Sequence, residues 1–366
     1  MNPKSIPFYL KTTIILFGLI LLVYILKSLS GIFIPLAFSM LLAILLNPLY
    51  SFLCRPKIPR ALSVLATVLI GVICVAGLFY LIGSQIAQFS DSFPVLKVKL
   101  KALLDSAEGW VNLKFGVTAE KQVAFVKSAI DSGQVGVGST IGAFFGTLSM
   151  VLLIPTYTFM LLFYKTLIQN FIYEVFAEEH SKKVADVLNQ TKKAIQSYML
   201  GLLVEMVIVA VLNSAALLIL DLRYAILLGV LGAILNMLPI IGGIVAILLP
   251  VLIATLTKDG FSTQLGVIVA YLVIQFIDNN IIFPRFVSVK IQINALVSLV
   301  AIFLGDALWG IPGMFLSLPF IAVVKIICDR IDELKPWGKL LGDVVPTRHI
   351  GELWSRRRKT AVMENK

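Results

Sequence analysis

The sequence predicts an all-α polytopic membrane protein, and three observations carry that prediction. Hydrophobic residues make up 59% of the 366 positions and charged residues 14%, against about 45–50% and about 25% in soluble domains. The mean hydropathy is +0.96, and so little polar surface could not cover the two soluble cores this length would otherwise hold. Eight apolar runs then occur at 12–26, 29–50, 61–83, 141–164, 199–220, 224–257, 264–284 and 294–328. The same composition excludes a secreted mini-protein, a disordered tail and a nucleic-acid-binding domain.

A helix rises about 1.5 Å per residue, so about 20 residues cross a ~30 Å hydrocarbon core. Runs 29–50, 61–83, 141–164, 199–220 and 264–284 meet that length. Run 12–26 is shorter, but Lys11 and Lys27 bracket it and can snorkel to the two interfaces. It is followed by Lys27 and a second apolar run, not by a small-residue cleavage site, so it reads as a span and not as a signal peptide.

Two segments are amphipathic instead. In 96–111, Leu96, Leu100, Leu103, Leu104, Ala107 and Val111 recur at helical spacing among Lys97, Lys101, Asp105 and Glu108. In 184–198, Val184, Val187, Leu188, Thr191, Ile195 and Tyr198 stand opposite Lys182, Lys183, Lys192 and Lys193. Such stripes lie on a membrane or pack on other helices. The Gly- and Ser-rich stretch 131–142 reads as a loop. The organisation that follows is three membrane helices over 1–83, an amphipathic extracytoplasmic segment over 84–140, a membrane helix and cytoplasmic amphipathic helix over 141–198, a transport core over 199–328, and a basic cytoplasmic tail over 329–366.

Run 224–257 is too long for one span and is broken by Leu238-Pro239-Ile240-Ile241-Gly242-Gly243. Run 294–328 is broken likewise by Gly310-Ile311-Pro312-Gly313. Second prolines follow, Pro250 and Pro319, and the half-segments read as roughly 14–16 residues, about 21–24 Å of helix. Each run follows one good span, so the order span-then-broken-hairpin occurs twice.

The Lys and Arg count orients the chain. With the N-terminus inside, 22 of the 31 basic residues fall on the inner side and nine outside, six of the nine within 84–140, where the positive-inside rule has little force. The net charge of +11 then reads as cytoplasmic loops in a multi-pass cell-membrane protein whose two termini are both cytoplasmic. This orientation gives the two span-plus-hairpin units opposite senses, the pattern of an inverted-repeat transporter whose Gly/Pro-broken segments flank the binding site. Two ordinary spans joined by a tight Pro-Gly turn have the same parity, so re-entrant hairpins and short full crossings both stay open.

Residues 198–343 resemble the autoinducer-2 exporter family of bacterial and archaeal membrane proteins. The matching stretches are Ser197-Tyr198-Met199-Leu200-Gly201, Asn236-Met237-Leu238-Pro239-Ile240-Ile241-Gly242-Gly243, Gln275-Phe276-Ile277-Asp278-Asn279-Asn280-Ile281-Ile282-Phe283-Pro284-Arg285, and Ala307-Leu308-Trp309-Gly310-Ile311-Pro312-Gly313-Met314-Phe315 through Pro319. One departure is Gln292-Ile293-Asn294-Ala295, where many members carry a proline after His or Asn. The resemblance implies a permease of about eight membrane segments that self-associates. The family takes its name from export of the furanosyl signal autoinducer-2, and other members look like cation–proton antiporters.

Ionisable groups inside spans cost about 2.5–3.5 kcal/mol on insertion scales and so need a partner or a purpose. Glu205, Asp278 and Asp306 qualify, with Asn236 three residues before the first break and Gln275 and Asn279 beside Asp278. The expectation is a polar cavity between the two units, lined by these groups and by the backbone freed at Pro239, Gly242, Gly243, Gly310, Pro312 and Gly313. Protonation of Glu205 or Asp278 would couple proton entry to the exit of a small polar solute. Asn47 and Asn213 read as helix–helix hydrogen-bonding residues, worth around 0.6 kcal/mol each. The Arg356-Arg357-Arg358-Lys359 tail reads as attraction to anionic lipid.

The expected partners are thus a small-molecule or ion substrate, the bilayer and further copies of the chain, with no nucleic acid. No cofactor or metal is expected, because Cys54, Cys74, Cys328, His180 and His349 form no ligand spacing. No enzyme is expected either. Phe303-Leu304-Gly305-Asp306 lacks the first glycine of an intramembrane aspartyl protease, and neither His-Glu-x-x-His nor a Walker-type loop occurs. A Na+/H+-type antiporter and a non-transporting scaffold acting through 84–140 are the competing readings.

Overall fold

The computed structural model describes residues 7–54, 58–115, 152–176, 181–237, 241–258, 260–287 and 293–343. The helices among them are α1 (Phe8–Ser28), α2 (Ser30–Leu53), α3 (Arg60–Phe115), α4 (Leu152–Phe163), α5 (Lys165–Val175), α6 (Ser181–Ile219), α7 (Ala225–Asn236) and α8 (Ile241–Thr257). They continue with α9 (Ser262–Ile277), a π-helical segment (Asp278–Ile282), α10 (Phe283–Phe286), α11 (Ala295–Trp309), α12 (Ile311–Arg330) and α13 (Lys335–Leu341). Six helices are long and apolar enough to cross a membrane, or seven with the α4–α5 pair, which bends by 62° at Tyr164. The chain is an all-α, multi-pass membrane protein.

Helices α1 and α2 meet at a one-residue turn and α1 leaves its apolar side chains exposed, as a helix facing lipid does. Polar ties hold α2 to its neighbours. The Ser39 hydroxyl donates to the Ile154 carbonyl of α4 at 2.9 Å, and Lys165 Nζ donates to Asn47 Oδ1 at 2.8 Å. Asn47 is therefore the helix-bonding residue its place in an apolar run suggests.

Two expected boundaries are absent. The amphipathic stretch 96–111 is no separate element, because α3 runs unbroken through Gly83 and Pro94. Nor does 184–198 stand apart from the span after it: Ser197-Tyr198-Met199-Leu200-Gly201 holds no proline, and α6 carries its ladder straight through. The loop 131–142, the start of the fourth span, His180, His349 and the 356–359 tail lie outside the described residues.

The broken runs are less symmetric than their sequence spacing suggests. The first has arms of 12 and 17 residues and the second of 15 and 20. Pro250 and Pro319 lie inside α8 and α12 and end neither arm. The turn of the second run needs Gly310, whose φ of +64° is a left-handed conformation that favours glycine. Beside it the Trp309 indole donates to the Leu26 carbonyl at 3.0 Å, fastening this tip to the C-terminal end of α1.

The main core lies between α6, α7, α8 and α9, where Leu217, Leu228, Ala246, Ala254, Val267 and Tyr271 are buried together. At the far end of α6, Lys183 and Lys335 both pair with Asp332, and the Lys335 bond first and Lys183 second hold that exposed carboxyl down at about 2. Asn294, the residue before Ala295, is the N-cap of α11. Its Oδ1 accepts from Val297 N at 2.8 Å, and its Nδ2 donates to the carbonyls of Leu340 and Gly342. Asn294→Ala is expected to cost about 1 kcal/mol for the cap alone. It should also speed amide exchange across 335–343, read by mass spectrometry, because the same side chain ties that segment down.

Candidate transport site

Helix α6 buries Leu202, Glu205, Val209, Asn213 and Leu217, a run at helical spacing that defines its inner face. Glu205, 4% exposed, is the charged member of that face. The opposite wall is α9, which buries Gln264, Val267, Tyr271, Ile274 and then Asp278 at the start of the π-helical segment. Asp278 is 3% exposed.

The π segment has a local cause. Pro284 has no N–H for the carbonyl four residues back, so the regular ladder cannot continue through it. The ladder widens before the proline, with Phe283 N donating to the Asp278 carbonyl five residues earlier. The Asn280 side chain donates to the Phe276 carbonyl at 2.8 Å, a further departure from the simple helix ladder. Sequence alone therefore marks the widened turn: two asparagines and a proline at the end of an apolar span.

The first break brings the other polar groups to Asp278. Helix α7 ends at Asn236, whose Nδ2 donates to Asp278 Oδ2 at 2.8 Å. Helix α8 begins at Ile241, and Gly242 sits so close that a Cβ there would strike the Leu235 carbonyl of α7. A Cβ on Gly243 would lie 3.1 Å from Gln275 Oε1 and 3.8 Å from Asn236 Oδ1. Gly243, Asn236, Gln275 and Asp278 thus meet at one point.

Glu205 is buried on the inner face of α6, which packs against the π-helical segment that carries Asp278. Met206 and Ile277, next to the two acids in sequence, pack on one cluster with Val209, Ala233 and Ile282. Glu205 Oε2 and Asp278 Oδ1 are buried without a hydrogen-bond partner among the described residues. Two buried carboxylates in a low-dielectric interior are costly to keep charged, and a bound proton or cation lowers that cost. Met237, next to Asn236, packs in an apolar cluster with Tyr198, Leu202, Val287, Phe315 and Leu318.

The remaining expected residues lie elsewhere. Asn279 and Asp306 are exposed. The Asp306 carbonyl accepts from Gly310 N at 2.7 Å, which makes its backbone part of the turn. Pro312 starts α12, and Gly313 packs against the backbone of Gly305 across the hairpin. The second break contributes an apolar wall through Phe315 and Leu318 rather than polar groups. Pro239 lies outside the described residues. Among the described residues no group of three or more His, Cys, Asp or Glu could hold a metal ion.

Fold and site together define a class: a multi-pass helical membrane protein with paired acids inside its helix bundle, which is the build of a permease. The chain belongs to the AI-2E family transporter family, which it matches over residues 13–333. It is 24% identical to AI-2 transport protein TqsA of Escherichia coli K12 over 340 residues, covering 92% of this chain and 96% of that one. A Haemophilus influenzae protein named, by inference, as a transport protein is 28% identical over 331 residues, 87% of this chain and 92% of its own. Family membership makes this chain a membrane transporter of the permease type.

Proposed function

We propose that the protein is a secondary permease that exports a small polar solute in exchange for protons or another cation. The observation that carries this reading is the pair Glu205 and Asp278, both buried and each with an oxygen that has no partner among the described residues, beside the break between α7 and α8. A buried acid that can trade its proton for a ligand is the simplest coupling device a membrane interior allows. Autoinducer-2, the solute in the name of the Escherichia coli relative, is the first solute to test. We also propose that the chain sits in the cell membrane with both termini cytoplasmic, as a self-associated assembly, and that its two span-plus-hairpin units are inverted.

A cation antiporter is the second reading. The Asp278 carboxylate, the Gln275 and Asn236 amide oxygens and Glu205 make an all-oxygen donor set, which suits hard cations. Both readings meet in one experiment. Purified protein is reconstituted into proteoliposomes holding a pH-sensitive dye, and gradients of autoinducer-2 or of sodium are imposed in turn. Proton movement with the first supports solute export, and with the second alone supports cation exchange. A flat dye signal across a broad solute panel removes coupled transport and leaves the scaffold. In that case deletion of 91–130 should abolish the cellular phenotype while Asp278→Asn leaves it intact.

A further inference from the structure

The α6–α9 seam carries polar groups beyond the acid pair. Along α9 and into the π-helical segment, Gln264, Tyr271 and Asp278 fall at seven-residue intervals and are all buried, so successive groups stand about 10 Å apart along one line. On α6, Asn213 lies eight residues beyond Glu205 on the inner face. Asn213 is 2% exposed, Tyr271 4% and Gln264 8%. Asn213 Oδ1, the Tyr271 hydroxyl and Gln264 Oε1 are each buried with no hydrogen-bond partner among the described residues.

These groups converge. The position a Cβ would take on Gly232 of α7 lies 3.3 Å from Asn213 Nδ2, 3.4 Å from the Tyr271 hydroxyl and 3.6 Å from the Ala246 side chain of α8. Four helices thus bring an amide and a phenol to one point where the fourth residue has no side chain. Orphaned buried polar atoms are uncommon, and those that persist need an explanation such as a bound group. The three orphans offer two amide acceptors and one hydroxyl that both donates and accepts, with no charge. That set matches O–H groups, which donate to an amide oxygen and accept from a hydroxyl.

We propose that Asn213 and Tyr271, with Gln264 beyond them, form a hydroxyl-binding station in the α6–α9 seam that takes the O–H groups of water or of a hydroxylated solute and continues the path to Glu205 and Asp278. The station rests on the permease reading for its purpose. Its physical content, a wet uncharged site inside the bundle, is independent of coupling. Gly232 puts no side chain between them, and Leu217 and Val267 are apolar members of the same core.

The test reads water at single positions. In a chain whose Cys54, Cys74 and Cys328 are replaced by alanine, Asn213→Cys, Tyr271→Cys, Leu217→Cys and Val267→Cys are reconstituted and exposed to aminoethyl methanethiosulfonate. Thiolate is the reactive form, and an apolar site suppresses it. Positions 213 and 271 should therefore label at least about tenfold faster than 217 and 267, the change in thiolate that one pKa unit makes. Adding D-ribose separates the sources: slowed labelling means a solute hydroxyl occupies the station, and unchanged labelling means water does. Equal rates at all four positions, fast or slow, overturn the proposal. Tyr271→Phe gives a second measurement on the otherwise natural chain. A hydroxyl bonded to an occupant makes the variant melt at a lower temperature, and an idle orphan makes it melt at the same or a higher one. None of these readings requires proton-coupled flux, so the station and the coupling mechanism stand or fall separately.

Discussion

Asp278→Asn is expected to reduce proton-coupled flux by ~10²-fold or more, the scale at which a positioned proton-transfer group acts. The substitution keeps the shape of the side chain and leaves an amide oxygen that can accept from Asn236 Nδ2, the bond now made to Asp278 Oδ2 at 2.8 Å. What it removes is a group able to gain and lose a proton. The folded protein should therefore elute and melt like the natural chain, because a neutral amide is easier to bury than a carboxylate. Dye-loaded proteoliposomes read the flux and a thermal melt in detergent reads the fold. A variant that retains wild-type proton movement would show that Asp278 is a structural acid and that coupling, if present, lies elsewhere.

Gly242→Ala should have the largest effect on the fold itself. Its new methyl group would meet the Leu235 carbonyl and the Asn236 backbone, neither of which can swing aside. Separating the start of α8 from the end of α7 costs about 1–3 kcal/mol in a packed interior, and it also moves Asn236 away from Asp278. Yield and melting temperature should both fall, together with flux. Gly243→Ala provides the contrast at the next residue. There the Cβ meets the end of the Gln275 side chain at 3.1 Å, which can rotate by a few tenths of an ångström. Its stability should change little while flux changes. If the two variants lose stability equally, the close α7–α8 contact is not what holds the break in place.

The physical basis of the two predictions differs in how visible it is from sequence. Asp278 and Glu205 announce themselves, because an acid within a long apolar run has few explanations. Asn236 and Gly242 are also legible, since Pro239, Gly242 and Gly243 interrupt a run that could otherwise continue as helix. The π-helical turn at Asp278 follows from Asn279, Asn280 and Pro284, and its effect on Asp278 needs only the chain's own chemistry. Tyr271 and Gln264 were passed over because an isolated Tyr or Gln in an apolar span has many ordinary explanations. Their seven-residue register with Asp278 was the available signal.

Asp306 illustrates the opposite case. By composition it equals Asp278, an acid one turn before a Gly/Pro break, yet it is exposed while Asp278 is 3% exposed. Which side of a helix faces a neighbour depends on how the hairpin docks, and the α11–α12 hairpin turns Phe315 and Leu318 toward the site. Likewise the spacing of Pro250 and Pro319 suggested matched arms, whereas helix continuity through a proline is decided by the packing around it.

Local chemistry along the chain was enough to determine an all-α membrane protein, the two breaks and the two acids, since hydropathy, proline and burial cost act within a turn or two, but not where its helices begin and end. Tertiary packing alone decided which acids meet. The packing of the Glu205 helix on the Asp278 segment, the bond from Asn236 and the convergence of Asn213 with Tyr271 at Gly232 join residues tens of positions apart. Those meetings depend on the rotation and docking of whole helices, which is a property of the assembled bundle rather than of any segment.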